Sequence, residues 1–427
     1  MSLIPKIEKI TRDATISHFF LMFGYKLFSL YFPLFLVARG FSLPEVGYTY
    51  LLIYLPIALF APFVGFLNHK INPATLASIG IFGYSAYALG MILITPHQYW
   101  WGAALFYLWQ VLLGISAAMF FVSARAILIS SPLENPDRAF GWFYSAPFYA
   151  DALAPVLGAF FIWKFNFIGV FIFSAVLQIF TAIYCFWQLG KQKIKPLDRA
   201  FNLQKFKDNY QKVFEKIKEK TVLLPTVLSF SVLLISGFYF AFFVLCLKDF
   251  LAFSQNQVLV FISVLSATFL PISLFLISRL ENRGPIRWEG GRDARPSREA
   301  GGPILGWVGV QSKRNIFRGG MAAGVFSILF GSFLPFLNFF TLLLINLGRS
   351  AGALICNSGR SGLISQKLKE NPEEAGALDT VFSPLGVAAG ALISGVILGF
   401  LGYQLLFILG GIFIITVSLI AKKLAKI

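Results

Sequence analysis

The sequence has 427 residues, 57% of them hydrophobic and only 13% charged, with 49 Phe. Soluble domains carry about 25% charged residues, so a water-exposed globule is excluded and lipid-facing helices are indicated. The formal net charge of +17 would point to nucleic acid in a soluble protein. Here the basic residues fall between apolar stretches, which makes them topology signals rather than a nucleic-acid surface.

Lys6, Lys9 and Arg12 precede an apolar run with no small-residue cleavage site behind it. The run is too long for a leader and is read as the first span. A span takes about 20 mostly apolar residues. Twelve stretches qualify: 16–38, 44–67, 72–95, 100–129, 140–163, 167–188, 222–247, 256–279, 318–336, 337–364, 377–399 and 402–421. Only Pro335 and Asn338 punctuate the boundary between the ninth and tenth. Trp100 and Trp101 follow the loop TPHQY and read as interface anchors.

Residues 189–221 divide the spans six and six. Phe206, Tyr210, Val213, Phe214 and Ile217 recur there at spacings of three and four among lysines. This predicts a basic amphipathic linker helix lying on the anionic inner leaflet. The stretch 284–312 is different: it has seven Gly, three Pro and no Phe. Its flanks would join into an ordinary short loop, so it is read as an insertion without ordered structure. With the N-terminus inside, 29 of the 36 basic residues fall on the inner side. Arg39, Lys164 and Lys248 fall outside, so both termini are expected in the cytoplasm. Cys185, Cys246 and Cys356 lie within apolar stretches without metal-ligand spacing, and His18, His69 and His97 are scattered. No disulfide framework, metal centre or catalytic cluster is expected.

The halves repeat each other. Ser123-Ala-Arg125-Ala-Ile-Leu-Ile-Ser130 recurs as Ser358-Gly-Arg360-Ser-Gly-Leu-Ile-Ser365. Glu134-Asn135-Pro136 recurs as Glu370-Asn371-Pro372, and at nearly the same offset Pro147 pairs with Pro384 and Gly158 with Gly395. This order of matches indicates a duplicated six-helix unit. An even number of spans per unit makes the copies parallel, with a site expected at mid-depth between them.

On these features the chain resembles the major facilitator superfamily, most closely in pattern its drug/proton-antiporter-like exporters. The resemblance covers nearly all of the chain outside 284–312. The family's loop motif after span two, G-x-L-A-D-R-x-G-R-R, is matched by Gly65, Leu67 and Lys70. His69 stands where the family has an acid, and Asn72 replaces the second Gly, so the residues present do not carry over the family's acid-to-helix-end latch. The exporter motif G-x-x-x-G-P-x-x-G-G is matched in span five by Pro155, Gly158 and the small residues Ala150, Ala154 and Ala159. Small residues allow close helix approach, and Pro permits a bend. The family's span-four Arg falls near Gln110, which argues against a standard proton antiporter.

Ionisable groups within spans are costly and mark function. Lys26, Asp151 and Arg349 lie near the middles of spans one, five and ten. The resemblance implies that spans one, four, seven and ten line a shared cavity, with two, five, eight and eleven between the halves. Asp151 is the expected proton carrier, and Lys26 and Arg349 the groups that attract substrate. Gln110, Tyr239 and Asn346 are hydrogen-bonding candidates on the same spans. Arg125 and Arg360, nearer the helix ends, are expected to act in gating or capping by reaching helix-end carbonyls or lipid phosphates. Gly65, His69, Lys70, Pro155 and Gly158 complete the gating set.

The expected protein is an all-α membrane protein of twelve helices in two parallel six-helix bundles. Residues 1–188 form the first bundle, 189–221 the linker and 222–427 the second. The expected function is secondary transport of a small solute by alternating access, as ion- or proton-coupled export. Uptake of a sugar, organic anion or amino acid, and a non-transporting sensor or scaffold, are the other readings. No Walker motif is present, and the side-chain clusters of a membrane enzyme are missing, so neither ATP coupling, an enzyme nor a cofactor is expected. The expected partners are the solute, a proton and the bilayer, with no nucleic acid. The expected setting is a monomer in a bacterial or archaeal cytoplasmic membrane.

Overall fold

The computed structural model describes residues 7–29, 31–32, 35, 39–40, 43–93, 100–191, 200, 202–280 and 304–425. The helices are α1 (Lys9–Ser29), α2 (Leu43–Asn68), α3 (Pro73–Ile92), α4 (Trp100–Ser130), α5 (Pro136–Gly190), α6 (Leu203–Lys218), α7 (Lys220–Leu245), α8 (Gln255–Arg279), α9 (Ile304–Phe333), α10 (Phe339–Lys367) and α11 (Pro372–Ala425). No strand occurs among the described residues. Ten stretches among them are long and apolar enough to cross a membrane. One, Pro136–Gly190, is double, and α1 adds the twelfth span.

Polar residues start these helices where hydropathy alone marks no edge. Asn72, Asn135 and Asn202 accept from backbone N–H groups of the first turns of α3, α5 and α6. Ser254 with Gln257 and Asn338 with Thr341 form reciprocal caps on α8 and α10. The faint boundary expected at Pro335 and Asn338 is a single 3-10 turn, Leu334–Phe336, before the Asn338 cap.

Two helices reverse within themselves. Asn166 has φ 54° and Gly402 has φ 72°, the left-handed region that favours Gly and tolerates Asn. Around Asn166 the chain doubles back, so Phe161 stacks on Phe173 with centroids 4.6 Å apart. Gly402 follows Asn166 at the offset that separates Asn371 from Asn135, so the repeat extends to the reversal itself. Packing repeats too. α1 lies on both limbs of α5, as α7 lies on α11. α3 packs on α4 and α5, and α9 packs on α10 and α11. Between the halves, α2 meets α11 while α8 meets α5. Close crossings rest on small residues: at Gly319 and Gly352 a side chain would run into the backbone of the facing helix.

Phe serves both surfaces. Phe28, Phe171, Phe261, Phe330 and Phe407 are fully buried, whereas Phe180 and Phe400 point outward from the bundle. The three Cys are buried and free of disulfides.

Two expectations shift. The apolar side of α6 does not face outward to lipid. Tyr210, Val213 and Ile217 are buried against the protein, and Phe206 meets Phe66 at the end of α2. Packing on its own bundle satisfies the stripe, leaving Phe214 about half exposed. The ordered chain also resumes inside the expected insertion, because α9 begins at Ile304 and Ser312 is fully buried. Residues 284–303, Lys6 and the side chains of Trp100 and Trp101 lie outside the described residues.

Candidate functional site

The start of α1 and the end of α11 lie on one face of the bundle. Glu8 accepts from the Glu134 N–H at 3.0 Å, and Lys422 sits 5.2 Å from the Phe317 ring. At this face a buried carboxylate, Asp379, joins the halves. Arg360 Nε donates to Asp379 Oδ1 at 2.9 Å, and Arg125 Nε lies 3.1 Å from Oδ2. Ser361 donates to the same carboxylate at 2.6 Å and Tyr144 at 3.0 Å. Arg125 also reaches Thr380 Oγ1 at 2.7 Å. Arg125 and Tyr144 belong to α4 and α5, and Arg360, Ser361, Asp379 and Thr380 to α10 and α11, so the node spans the interface. Asp379 and Arg360 are 0% exposed and Arg125 is 4% exposed. Desolvation of buried charges is offset only by good geometry. Two cations on one anion leave a positive excess, which aromatic faces share: Arg125 lies 5.4 Å from the Phe121 ring and 5.6 Å from Tyr144, and Arg360 lies 5.8 Å from Phe382.

Two latches flank the node. Asp137, the second residue of α5, accepts from Ser312 Oγ at 2.7 Å and Asn315 Nδ2 at 2.8 Å, both on α9. In the second latch His69 Nε2, at the end of α2, shares a 2.8 Å hydrogen bond with Glu374 and lies 4.0 Å from Glu373, both in the first turn of α11. One ligand atom from each of His69, Glu373 and Glu374 falls within 4.8 Å of the others. Gly65 packs there against Ala377 and the Glu373 carbonyl, where a side chain would be crowded. α6 covers this latch. Asn209 donates to Glu374 at 2.9 Å, Tyr210 to the Pro62 carbonyl at 3.3 Å, and Lys216 to Glu370 at 2.9 Å. Burial, reinforced by the Glu374 charge, raises the Tyr210 hydroxyl well above its ordinary pKa. Lys216 holds the Glu370 carboxyl below the usual range.

At mid-depth, Lys26 and Asp151 form an ion pair of 2.9 Å, each side chain about a quarter exposed. Arg349 is not joined to them. Its guanidinium lies over the Tyr239 ring, 3.8 Å from the centroid, with no carboxylate in ion-pair range among the described residues. Nearby, the Tyr31 hydroxyl donates to the Pro155 carbonyl at 2.8 Å, and Gly158 lets α5 approach the Leu27 carbonyl of α1.

Several sequence expectations change. Gln110 lines nothing: it is fully buried, accepting from Tyr87 at 3.1 Å and donating to the Phe106 carbonyl, an interhelical core bond. Asn346 is also buried and donates back to Leu342 of its own helix. Arg125 and Arg360 reach neither carbonyls nor lipid, because a buried carboxylate is the stronger partner. His69, read as isolated and as the loss of a latch, meets two carboxylates, so the latch persists with its chemistry exchanged. Lys70 sits beside it, half-buried. Sequence reading missed Asp379, Asp137, Glu373, Glu374 and Tyr144. The signal for the first was present, since Asp379 is the only acid in 377–399. The signal for Asp137, Glu373 and Glu374 was the acid that follows Asn-Pro in both halves, and nothing in the sequence marks Tyr144.

A family model described as Major Facilitator Superfamily matches residues 14–291. No curated protein matches the sequence. Solved structures of similar fold include the human organic anion transporter MFSD10 (TETRAN), with TM-score 0.71, 14% identity, and 98% of this chain and 99% of that chain covered. A bacterial homologue of the iron transporter ferroportin in its outward-facing state gives TM-score 0.63 and 14% identity, covering 98% of each chain. The E. coli fucose:proton symporter FucP gives TM-score 0.66 and 10% identity, covering 96% of this chain and 98% of that one. At these identities the likeness is one of fold. With the duplicated helices, the reciprocal latches and the matched residues 14–291 together, the chain belongs to the Major Facilitator Superfamily.

Proposed function

We propose that this protein is a proton-coupled secondary transporter that exports a small solute by alternating access. The halves 1–188 and 222–427 rock about mid-depth, and 189–221 links them. The observation that carries the reading is the buried Arg125–Asp379–Arg360 node. It seals one face through side chains of both halves, and a seal made of ion pairs and hydrogen bonds can be broken and remade as a unit. The excess of basic residues assigns that face to the cytoplasm, so the structure corresponds to the state closed inward.

Asp151 is the proposed proton carrier. Protonation of Asp151 would break its contact with Lys26 and loosen α1 from α5. The Tyr31–Pro155 hydrogen bond and the Gly158 crossing hold α1 against α5 close to that pair. Among proteins of similar fold, one is named a proton symporter, one an organic anion transporter and one a homologue of an iron transporter. Solutes so unlike leave the substrate to be read from side chains.

The test is flux in proteoliposomes over a solute panel, with and without a pH gradient. Gradient-dependent efflux that becomes pH-independent in Asp151→Asn is expected. Unchanged pH dependence in that variant rules out Asp151 as the carrier. Flux only in the opposite direction converts the reading to uptake, and silence across the panel overturns transport.

A further inference from the structure

The cations within the spans fall into two groups. Lys26 is neutralised by Asp151, and Arg125 and Arg360 share Asp379. Arg349 has no such partner among the described residues. An Arg side chain does not give up its proton in a protein, so the charge persists where an ion is costly. The Tyr239 face compensates part of it. Among the described residues the Arg349 Nε–H and the Tyr239 O–H, which has the Ser327 hydroxyl beside it, are buried donors without a partner in hydrogen-bond geometry. Two orphaned donors and one unpaired positive charge therefore meet at one place, and only an anion with hydrogen-bond acceptors balances all three.

We propose that Arg349 and Tyr239 form the anion-recognition end of the solute site, and that the solute is an organic anion bearing a carboxylate. This rests on the transport reading above and names its substrate class. The geometry selects a carboxylate over a spherical ion. Stacking on Tyr239 occupies one face of the guanidinium and leaves its planar edge, whose paired N–H groups match two carboxylate oxygens. Tyr239 is itself held firm, with its ring centroid 4.6 Å from Phe407 and 5.4 Å from Phe330, so the platform does not reorganise on binding. Arg349 as a whole is only partly buried.

The test uses the full chain in nanodiscs. Benzoate, succinate, lactate and glutamate are the carboxylate probes, glucose and benzylamine the neutral and cationic counterparts, and chloride the inorganic anion. Binding is read by thermal shift and calorimetry. At least one carboxylate is expected to bind and stabilise the wild type, with affinity falling tenfold or more in Arg349→Lys and vanishing in Arg349→Gln. Tyr239→Phe is expected to keep the stacking platform and weaken binding several-fold. If Arg349→Gln fails to fold, the Arg349→Lys and Tyr239→Phe shifts decide. No carboxylate binding, binding of chloride alone, or carboxylate binding indifferent to both conservative variants overturns the proposal. Flux of glucose or benzylamine without carboxylate binding leaves transport standing and removes the anion. Carboxylate binding that needs Arg349, with no flux of any solute, leaves the anion site standing and removes transport.

Discussion

Asp137 and Glu373 occupy the same place in the two repeats, immediately after Asn-Pro at the start of a helix that meets the opposite half. Both are buried. Their partners differ: neutral donors, Ser312 and Asn315, hold Asp137, whereas His69 lies beside Glu373 and bonds to Glu374. One inherited position has thus been fitted with two chemistries, and the two latches can be broken separately.

His69→Ala removes one of two partners of the buried Glu374 carboxylate, and Ser312→Ala removes one of two donors to Asp137. A hydrogen bond to a charged group contributes about 1.5–3 kcal/mol. A cysteine placed at buried Ala375 reports opening of this face through thiol labelling. Labelling is expected to quicken about tenfold in His69→Ala and less in Ser312→Ala, with nearly additive effects in the double variant. Equal rates in all variants would show that the latches contribute no closing energy.

Asp379→Asn leaves Arg125 and Arg360 buried without a counter-charge. Removing one member of a buried ion cluster costs about 3–5 kcal/mol, read here as a lower thermal midpoint in detergent. Replacing both arginines by Met in the same background is expected to restore much of the loss. A triple variant no better than Asp379→Asn would indicate that the node's hydrogen bonds, not its charge balance, hold the interface.

At Gly158 the Leu27 carbonyl occupies the space of a side chain. Gly158→Ala forces α1 and α5 apart at an overpacking cost of about 1–3 kcal/mol. Loss of stability, with weakened Lys26–Asp151 pairing seen as altered pH dependence of flux, is the expected result. An unchanged midpoint would mean the crossing yields freely.

The pH response of α6 has a defined sign. Burial, then the Glu374 charge, raises the Tyr210 hydroxyl above its unfolded value of about 10. A raised acid favours the neutral docked form, so docking is at full strength below about pH 10 and declines as pH rises beyond it. Limited proteolysis near residue 202 is expected to accelerate under alkaline conditions, and Tyr210→Phe to blunt the effect.

Hydropathy and the basic residues made the spans legible, and the paired Ser-x-Arg and Glu-Asn-Pro segments revealed the duplication. The Lys26–Asp151 pair was within reach because both residues stand out in apolar spans. Asp379 was passed over because it falls two residues from the predicted edge of its span, where a charge looks ordinary. The distance between Arg125 and Asp379 is a product of docking one half on the other, which no local pattern encodes. Gln110 misled for the opposite reason: an amide within a span looks functional until its interhelical partner, Tyr87, is known.

The placement of α6 has a mechanical consequence. The helix touches α2 through Phe66 and Pro62 and the second half through Glu370 and Glu374, on either side of the seam. The seam cannot part while every one of those contacts holds, so any opening of this face includes the partial undocking of this clasp. Lys205, Lys207, Lys212 and Lys218 remain exposed on its outer side. A load applied there changes how often the seam opens and leaves the affinity of the path behind it untouched.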